Sequence, residues 1–423
     1  MEPTALRSHA GPDAPGHVQP KTEQRQISRG IHRPAGALQA IILVFTTQLP
    51  IMGIISIVPI IPMLMKHFGS HPQVALLIPL LITAPSLCIA LLSPLAGYLA
   101  DRIGRRRLLL IAVLLFALFG FTPFLLDDLS LIIASRFCLG VCEAFIMTIA
   151  NTLMGDMFQG QPRKKWLAVQ SAVGSVSATT LLFISGMLGN FGWQGPFTLY
   201  LLAVPVFLCL LMFTWEPAPQ TAETIKTTNH RFPVAAMLLI AGVTLFCAVL
   251  YYVEVLQISS VLSAAGLDSP TRIGFASGIA GIGVPIGALL FSLMSRRSVR
   301  VHLLLTLSLF AAGLYGMGAL PGVAWVVAAA FVAQIACGVL IPALLTWCLG
   351  SLEYQHRGKG MGLWHTAFFL GQFISPFIIS LLGLHLTDGL RGAVSILGIV
   401  ALIGALVTGT LNLRRPRVHQ PAS

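Results

Sequence analysis

The sequence predicts an all-α polytopic membrane protein with twelve transmembrane helices. Charged residues make up only 9% of the 423 residues and hydrophobic residues 56%, whereas about a quarter of the residues in an ordinary soluble domain are charged. A transmembrane helix needs about 20 apolar residues, while membrane-barrel strands are about half as long and alternate in polarity. Twelve runs of helical length lie between charged or Pro- and Gly-rich breaks, at residues 37–65, 74–97, 108–127, 129–157, 166–189, 196–214, 233–256, 273–294, 301–320, 322–350, 361–384 and 388–413.

The breaks between these runs carry most of the positive charge. If both termini are cytoplasmic, 22 of the 26 Lys and Arg residues lie at the inner face, and the exceptions are Lys66, Arg136, Arg272 and Arg391. Retention of basic residues on the cytoplasmic side produces such an asymmetry. The net charge of +12 therefore indicates orientation in a cell membrane, and not a nucleic-acid partner.

The runs divide into two sets of six. Residues 1–36 have the composition of a disordered cytoplasmic tail, and residues 215–232 read as a polar cytoplasmic linker. The linker separates a predicted N-terminal bundle at 37–214 from a C-terminal bundle at 233–413, and a cytoplasmic tail follows at 414–423.

A charged hinge joins the second and third spans. Its pattern consists of Gly97, Leu99, Asp101, Arg102, Gly104, Arg105 and Arg106. In this pattern the chain resembles the major facilitator superfamily of secondary transporters, which has such a segment between its second and third helices. A displacement of 194 residues aligns Leu99 with Leu293, Arg102 with Arg296 and Arg106 with Arg300, although the second copy lacks the acid and the glycines.

Three further segments carry the resemblance, which covers about residues 37–413. They are Arg136 with Gly140 in the fourth span, the turn at 186–197 and the eleventh-span stretch at 362–376. The resemblance implies two six-helix bundles related by pseudo-two-fold symmetry, a substrate site between them near the midplane, and alternating access. It also favours the drug and metabolite exporters that exchange their solute for protons.

One departure leaves the direction of transport open. Proton antiporters of this superfamily carry a Gly-Pro-x-x-Gly-Gly run in the fifth helix, and here Leu181 and Leu182 replace Gly-Pro while Ser185 and Gly186 stand at the Gly-Gly positions. An uptake symporter or uniporter of the same fold is therefore the alternative. A transport-inactive membrane receptor or scaffold is the alternative from another class.

The fourth span holds the main candidate for proton coupling. Arg136, Gly140 and Glu143 share one helix face, with Glu143 at the centre of the span. Charged groups at this depth are costly and normally face a partner or a cavity. We predict that this face lines the central cavity and that Glu143 binds and releases the coupling proton under the influence of Arg136. A structural pair that satisfies two buried charges is the alternative.

Glu254 ends the seventh predicted span beside Tyr251 and Tyr252, near the outer surface. It is either an anchor at headgroup level or a gate or substrate contact. Polar and aromatic residues in the spans are candidates for the substrate cavity, although each could instead tie two helices together. The candidates are Gln48, Gly140, Asn151, Tyr251, Glu254, Gln334, Trp364, Phe368 and Gln372.

The hinge is predicted to act as a cytoplasmic gate. By the resemblance, Asp101 docks at the positive N-terminus of the eleventh helix, near residue 361, and locks the halves together. The resemblance assigns the close approach and the tight turn to Gly97 and Gly104. It assigns the surrounding charge network to Arg102, Arg105 and Arg106. Alternatively the arginines only set topology. Asp156, at the end of the fourth span, is expected to pair with nearby bases.

Nothing in the sequence suggests an enzyme or an ATP-driven pump. A Walker-type phosphate loop is absent, and no His or Cys cluster has metal-ligand spacing. The expected energy source is an ion gradient, since one proton crossing 100 mV carries about 2.3 kcal/mol. The sequence therefore predicts a monomeric transporter without cofactor or metal that exports a small organic solute in exchange for protons.

Overall fold

The computed structural model describes residues 35–158, 160–216, 232–352 and 356–410. Within this part of the chain, twelve helical segments are long and apolar enough to cross a membrane. The predicted tails and most of the predicted linker lie outside the described residues.

The described chain contains long α-helices and a few short 3-10 helices. The α-helices are α1 (Ala37–Ile55), α2 (Ile61–His67), α3 (Val74–Ile103), α4 (Arg105–Phe121), α5 (Leu129–Met157), α6 (Gly160–Leu188), α7 (Ala203–Phe213), α8 (Val234–Ala264), α9 (Pro270–Gly281), α10 (Gly283–Leu293), α11 (Val299–Ala319), α12 (Val323–Gly350), α13 (Arg357–His385) and α14 (Gly389–Thr410).

These helices form twelve spans, numbered in chain order. Span 1 consists of α1 and α2 with a 3-10 turn at Val58–Ile60, span 6 of a 3-10 helix at Gly195–Leu202 followed by α7, and span 8 of α9 and α10. Each remaining helix forms one span. Odd-numbered spans run from the face where span 1 begins, here called the terminal face, to the far face.

The charged hinge at 97–107 is almost entirely helical. Span 2 continues to Ile103 and span 3 begins at Arg105, so Gly104 alone separates them. Gly104 has a φ of 109°, which side-chain-bearing residues rarely adopt. The predicted tight turn at Gly104 is therefore present, but the predicted loop around it is wrong.

Span 7 is longer than predicted. The sequence places its end at residue 256, whereas the helix continues to Ala264. This difference moves Glu254 from the end of a helix into its interior.

The structure confirms the internal repeat of 194 residues. Spans 3, 4 and 6 begin 194 residues before spans 9, 10 and 12, at Arg105, Leu129 and Gly195 against Val299, Val323 and Gly389. Equivalent spans also pack alike: span 2 lies against span 4 as span 8 lies against span 10, and span 3 lies against span 6 as span 9 lies against span 12. Each half is thus one copy of a six-helix unit.

Two equivalent pairs of spans bring the halves together. Span 5 packs on span 8, and span 2 packs on span 11. At the far face, spans 5 and 8 touch through their backbones, since a Cβ atom on Gly274 would lie only 3.0 Å from Gly186 Cα. Thr271 Oγ1 also donates a hydrogen bond to the Gly186 carbonyl at 3.2 Å. In the second contact, Thr366 Oγ1 donates to the Ala90 carbonyl at 3.0 Å.

Candidate functional site

A fully buried arginine connects three spans of the first half. Arg136 has no exposed surface, and its Nη1 atom donates a hydrogen bond to the Tyr200 hydroxyl at 2.8 Å. That hydroxyl donates in turn to the Gly53 carbonyl at 2.8 Å. The guanidinium also lies 4.9 and 5.5 Å from the ring centres of Tyr200 and Phe197. Since a buried charge is stable only with such partners, the network holds spans 1, 4 and 6 together.

Glu143 lies about two turns further along span 4 and is also fully buried. Among the described residues, neither of its carboxyl oxygens has a hydrogen-bond partner. Gly53 of span 1 leaves the room that the side chain occupies, because a Cβ atom there would overlap Oε1 of Glu143. Arg136 and Glu143 therefore do not satisfy each other by direct contact, unlike the structural pair considered from the sequence.

Glu254 is a second buried acid. It has no exposed surface, so the predicted position near the outer surface is wrong. The reason is the extra length of span 7, which ends ten positions after Glu254, at Ala264. Its Oε2 atom lies 3.9 Å from Cys337 Sγ, Gln334 faces the same carboxyl group, and Oε1 has no partner among the described residues. Among the described residues, each half therefore contains one fully buried carboxyl group, where the sequence predicted only Glu143.

A cavity of about 410 Å³ lies between the two halves, a size that suits a small organic molecule. Its first-half wall carries amide and hydroxyl groups, from Thr47, Gln48, Asn151, Gln170, Ser171 and Thr179. Its second-half wall includes four aromatic side chains, Tyr251, Tyr252, Phe368 and Phe369, among aliphatic residues and the polar residues Ser277 and Gln334. A solute bound in this cavity would contact both halves at once.

The family model of the Major Facilitator Superfamily matches residues 42–268 and 244–423. The chain belongs to the major facilitator superfamily. It is similar to the class D tetracycline resistance protein of Salmonella ordonez, with 23% identity over 89% of this chain and 97% of that protein. The bacillibactin exporter of Bacillus subtilis (strain 168) is 27% identical over 38% of this chain and 40% of its own length.

A solved structure shows the same fold. A bacterial homologue of the human lysosomal transporter Spinster, in an inward-facing and unoccupied conformation, matches with a TM-score of 0.73 and 15% identity over 88% of this chain and 97% of that chain. The protein is thus a multi-pass membrane transporter of the superfamily, and its central cavity lies where the fold brings its two bundles together.

The cavity of this superfamily member contains some of the candidate residues and not others. The wall includes Gln48, Asn151, Tyr251, Gln334 and Phe368, while Gly140, Glu254, Trp364 and Gln372 do not line it. Gly140 packs against Pro85 and Cys88 of span 2, and Trp364 stacks on Phe368 with ring centres 5.3 Å apart. Arg136 and Glu143 are likewise absent from the wall. The predicted face of span 4 therefore lines the cavity only beyond Glu143, at Met147 and Asn151, while Arg136, Gly140 and Glu143 pack within their own half.

Span 5 contributes wall residues that the sequence argument missed. Gln170, Gly174, Ala178 and Leu182 recur every four residues and line the cavity. Gln170 Nε2 also donates a hydrogen bond to Asn151 Oδ1 at 3.1 Å. The regular spacing of polar and small residues is the signal that could have identified this face.

The hinge of this transporter is bound to its own half. Arg105 forms an ion pair with Asp156 at the end of span 4, which is the local pairing expected for Asp156. The Arg106 side chain donates to the Leu211 carbonyl at 2.8 Å and to Thr214 Oγ1 at 3.4 Å, both near the end of span 6. These arginine contacts join spans 3, 4 and 6, whereas the sequence predicted a charge network around a lock between the halves.

A carboxylate also binds the start of span 3. The two side-chain oxygens of Glu216 accept hydrogen bonds from the backbone N–H groups of Arg105 and Arg106, at 2.6 and 2.8 Å. The first N–H groups of a helix have no partner within the helix and carry partial positive charge, so an acid there is favourable. Glu216 follows span 6, and it therefore ties the two ends together.

Three predicted gate residues of the hinge remain: Arg102, Gly97 and Asp101. Arg102 lies over the ring of Tyr98, 4.6 Å from its centre. Among the described residues, a Cβ atom on Gly97 would meet only the Thr148 methyl group, at 3.8 Å, which is an ordinary contact, so the close approach at Gly97 stays a prediction. The side chain of Asp101 lies outside the described residues, and its role as an inner lock stays a prediction.

Proposed function

We propose that this chain exports a small organic solute by alternating access, in exchange for protons that Glu143 carries. Export is supported by the similarity to an exporter and to a tetracycline resistance protein. In this proposal the protein is a monomer in the cell membrane, and the terminal face, which carries the basic hinge, is cytoplasmic. Asp101 then acts at the inner end of the interface between the halves.

The observation that carries the proposal is the isolation of the Glu143 carboxyl group. It is fully buried without a hydrogen-bond partner among the described residues, and an uncompensated buried charge is very costly. Release of a proton from Glu143 therefore requires a rearrangement that supplies water or a partner. Such a rearrangement is what alternating access provides, since spans 1 and 4 around Glu143 also line the cavity.

Proteoliposomes with an imposed pH gradient test the proposal directly. A panel of fluorescent dyes, antibiotics and metabolites is offered, and solute movement and proton flux are recorded together. We expect solute and protons to move in opposite directions, and we expect Glu143→Gln to abolish gradient-driven transport while equilibrium solute binding persists.

Glu254→Gln is the matched comparison, because it neutralises the other buried acid. Full coupling in Glu143→Gln, together with its loss in Glu254→Gln, would move the coupling group to the second half. Solute that enters the vesicle together with protons would replace export by uptake, the alternative that Leu181 and Leu182 favour at the Gly-Pro positions of span 5.

A further inference from the structure

The polar wall of the cavity leaves acceptor atoms unused. Gln48 is 7% exposed, its Nε2 donates to the Val44 carbonyl at 3.1 Å, and its Oε1 has no hydrogen-bond partner among the described residues. Because a backbone carbonyl only accepts, this contact assigns the nitrogen of the Gln48 amide. The free atom is therefore an oxygen.

A second free oxygen follows from a chain of amides. Asn151 Nδ2 donates to the Met147 carbonyl at 2.8 Å, so Asn151 Oδ1 is the atom that accepts from Gln170 Nε2 at 3.1 Å. Gln170 Oε1 is then left without a partner among the described residues. Gln48, Asn151 and Gln170 all line the cavity. Both oxygens are buried without a partner beside the cavity, and a hydrogen-bond donor on a solute would satisfy them.

The facing wall offers ring surfaces. The Tyr251, Tyr252 and Phe368 rings lie 4.9 to 5.7 Å apart, and Phe369 lies 5.8 Å from Phe368. Aromatic side chains at these spacings bind flat apolar groups by stacking and edge contacts. The cavity thus offers amide oxygens from the first half and a cluster of rings from the second half, set among aliphatic side chains of both halves.

The described cavity wall carries no formal charge. None of its lining side chains is acidic or basic, and the two buried acids, Glu143 and Glu254, are fully covered. An ion that left water for this cavity would lose its hydration without gaining a counter-ion, which is costly. An uncharged molecule avoids that cost.

We propose that the cavity selects an uncharged aromatic amphiphile, which places its rings against the second half and donates hydrogen bonds to Gln48 Oε1 and Gln170 Oε1. This inference rests on the proposed function for the identity of the site as the transport site. It concerns recognition alone and makes no use of proton coupling.

Equilibrium binding of four dansyl probes to the purified full chain tests the inference. Dansylamide is neutral and donates hydrogen bonds, its N,N-dimethyl derivative is neutral without donors, dansylaminoethyl-trimethylammonium is a cation, and dansylglycine is an anion at neutral pH. Fluorescence titration without any gradient separates this result from the coupling experiment. We expect dansylamide to bind roughly tenfold more tightly than each of the others, the ratio that one lost hydrogen bond produces.

Variants of a wall residue test whether the cavity wall causes the preference for dansylamide. Gln170→Leu removes one of the two acceptors and should reduce the preference for dansylamide over the dimethyl probe while leaving the affinity of the dimethyl probe unchanged, and Gln170→Glu should shift the preference toward the quaternary ammonium probe. Gln372→Leu is the matched control, because Gln372 is a buried amide outside the cavity, and it should alter neither affinity.

Three results would overturn the inference: tighter binding of either charged probe to the unmodified protein, equal binding of dansylamide and its dimethyl derivative, or no binding of dansylamide. Each leaves the proton-coupled export proposal standing. Conversely, dansylamide selectivity without counterflow of protons would contradict the coupling proposal alone.

Discussion

Arg106 in the first half and Arg300 in the second are repeat equivalents, and both reach the last span of their own half. Arg106 contacts the Leu211 carbonyl and Thr214 Oγ1, while Arg300 Nε donates to the Thr408 carbonyl at 3.1 Å. Thr408 lies 194 residues after Thr214, the displacement of the internal repeat. The arginine contact is therefore part of the scaffold of each six-helix unit.

The two acids that contact the first hinge have no acid at their repeat-equivalent positions in the second half. Glu216, which binds the start of span 3, has Thr410 as its repeat equivalent, and Asp156, which pairs with Arg105, has Gly350. The Thr410 hydroxyl donates to the Val407 carbonyl within its own helix at 2.8 Å. The comparison teaches that the two hinges share the arginine contact with the last span, and that the first hinge adds acidic contacts from Glu216 and Asp156 whose equivalent positions are uncharged.

Residues that are 194 positions apart also differ in the buried interiors of the two halves. Arg136 and Tyr200 correspond to Ala330 and Val394, and both of these apolar residues are fully buried. On the cavity wall, Gly174 of span 5 corresponds to Phe368 of span 11. Duplication thus preserved the helix arrangement, while the side chains at equivalent positions diverged.

The polar network of the first half provides the largest expected effect. Tyr200→Phe removes the acceptor of Arg136 and leaves the buried guanidinium without that hydrogen bond, which we expect to cost about 3 kcal/mol. Chemical unfolding of the purified protein in detergent measures the loss. Tyr315→Phe, at a residue that is 52% exposed, is the control and should change little. Equal stability of Tyr200→Phe and the original protein would mean that the network does not hold the first half together.

An intermediate loss of stability is expected at the junction before span 3, compared with the equivalent junction before span 9. Gly104 and its equivalent Ser298 both precede a helix, but Gly104 has a φ of 109° and Ser298 a φ of −71°. Gly104→Ala forces a side chain into the strained region and should cost about 1–2 kcal/mol, whereas Ser298→Ala should be nearly neutral because Ser298 makes no side-chain cap bond. Unfolding midpoints of the two variants make the comparison, and equal losses would contradict the proposed difference between the junctions.

Glu216 provides the smallest effect. Glu216→Gln retains an oxygen acceptor for the backbone of span 3 but removes the negative charge, and we expect a loss of about 0.5 kcal/mol that shrinks as salt is added. Unfolding at low and high ionic strength measures it, with Thr410→Val as the equivalent change in the second half. If salt affects both variants alike, the first hinge has no special electrostatic role.

Much of the fold was predictable from the sequence because bilayer thickness sets the length of an apolar run. The fourth span was predicted at 129–157 and is observed at Leu129–Met157. The hinge was predicted as a loop because its residues are charged, yet charge does not end a helix that lies outside the hydrocarbon, and only Gly104 interrupts it. Glu254 was misplaced for a related reason, since span 7 continues past the predicted limit.

The candidate site was less predictable, because periodicity identifies a helix face without naming what that face meets. Glu143 and Asn151 lie two turns apart on span 4, yet Glu143 packs against Gly53 and only Asn151 reaches the cavity. Gln170 escaped the sequence argument because one amide in a helix of small and polar residues is not distinctive.

The sequence by itself determined the class of protein, its twelve spans, its duplication and its superfamily, because hydrophobic length, charge placement and the hinge motif are properties of contiguous residues. Only the tertiary structure decided which carboxyl groups are isolated, that Arg105 and Arg106 of the hinge contact spans 4 and 6 of their own half, and which amides and rings meet in the cavity. Those features depend on contacts between spans far apart in the chain, and the helical period alone does not specify them.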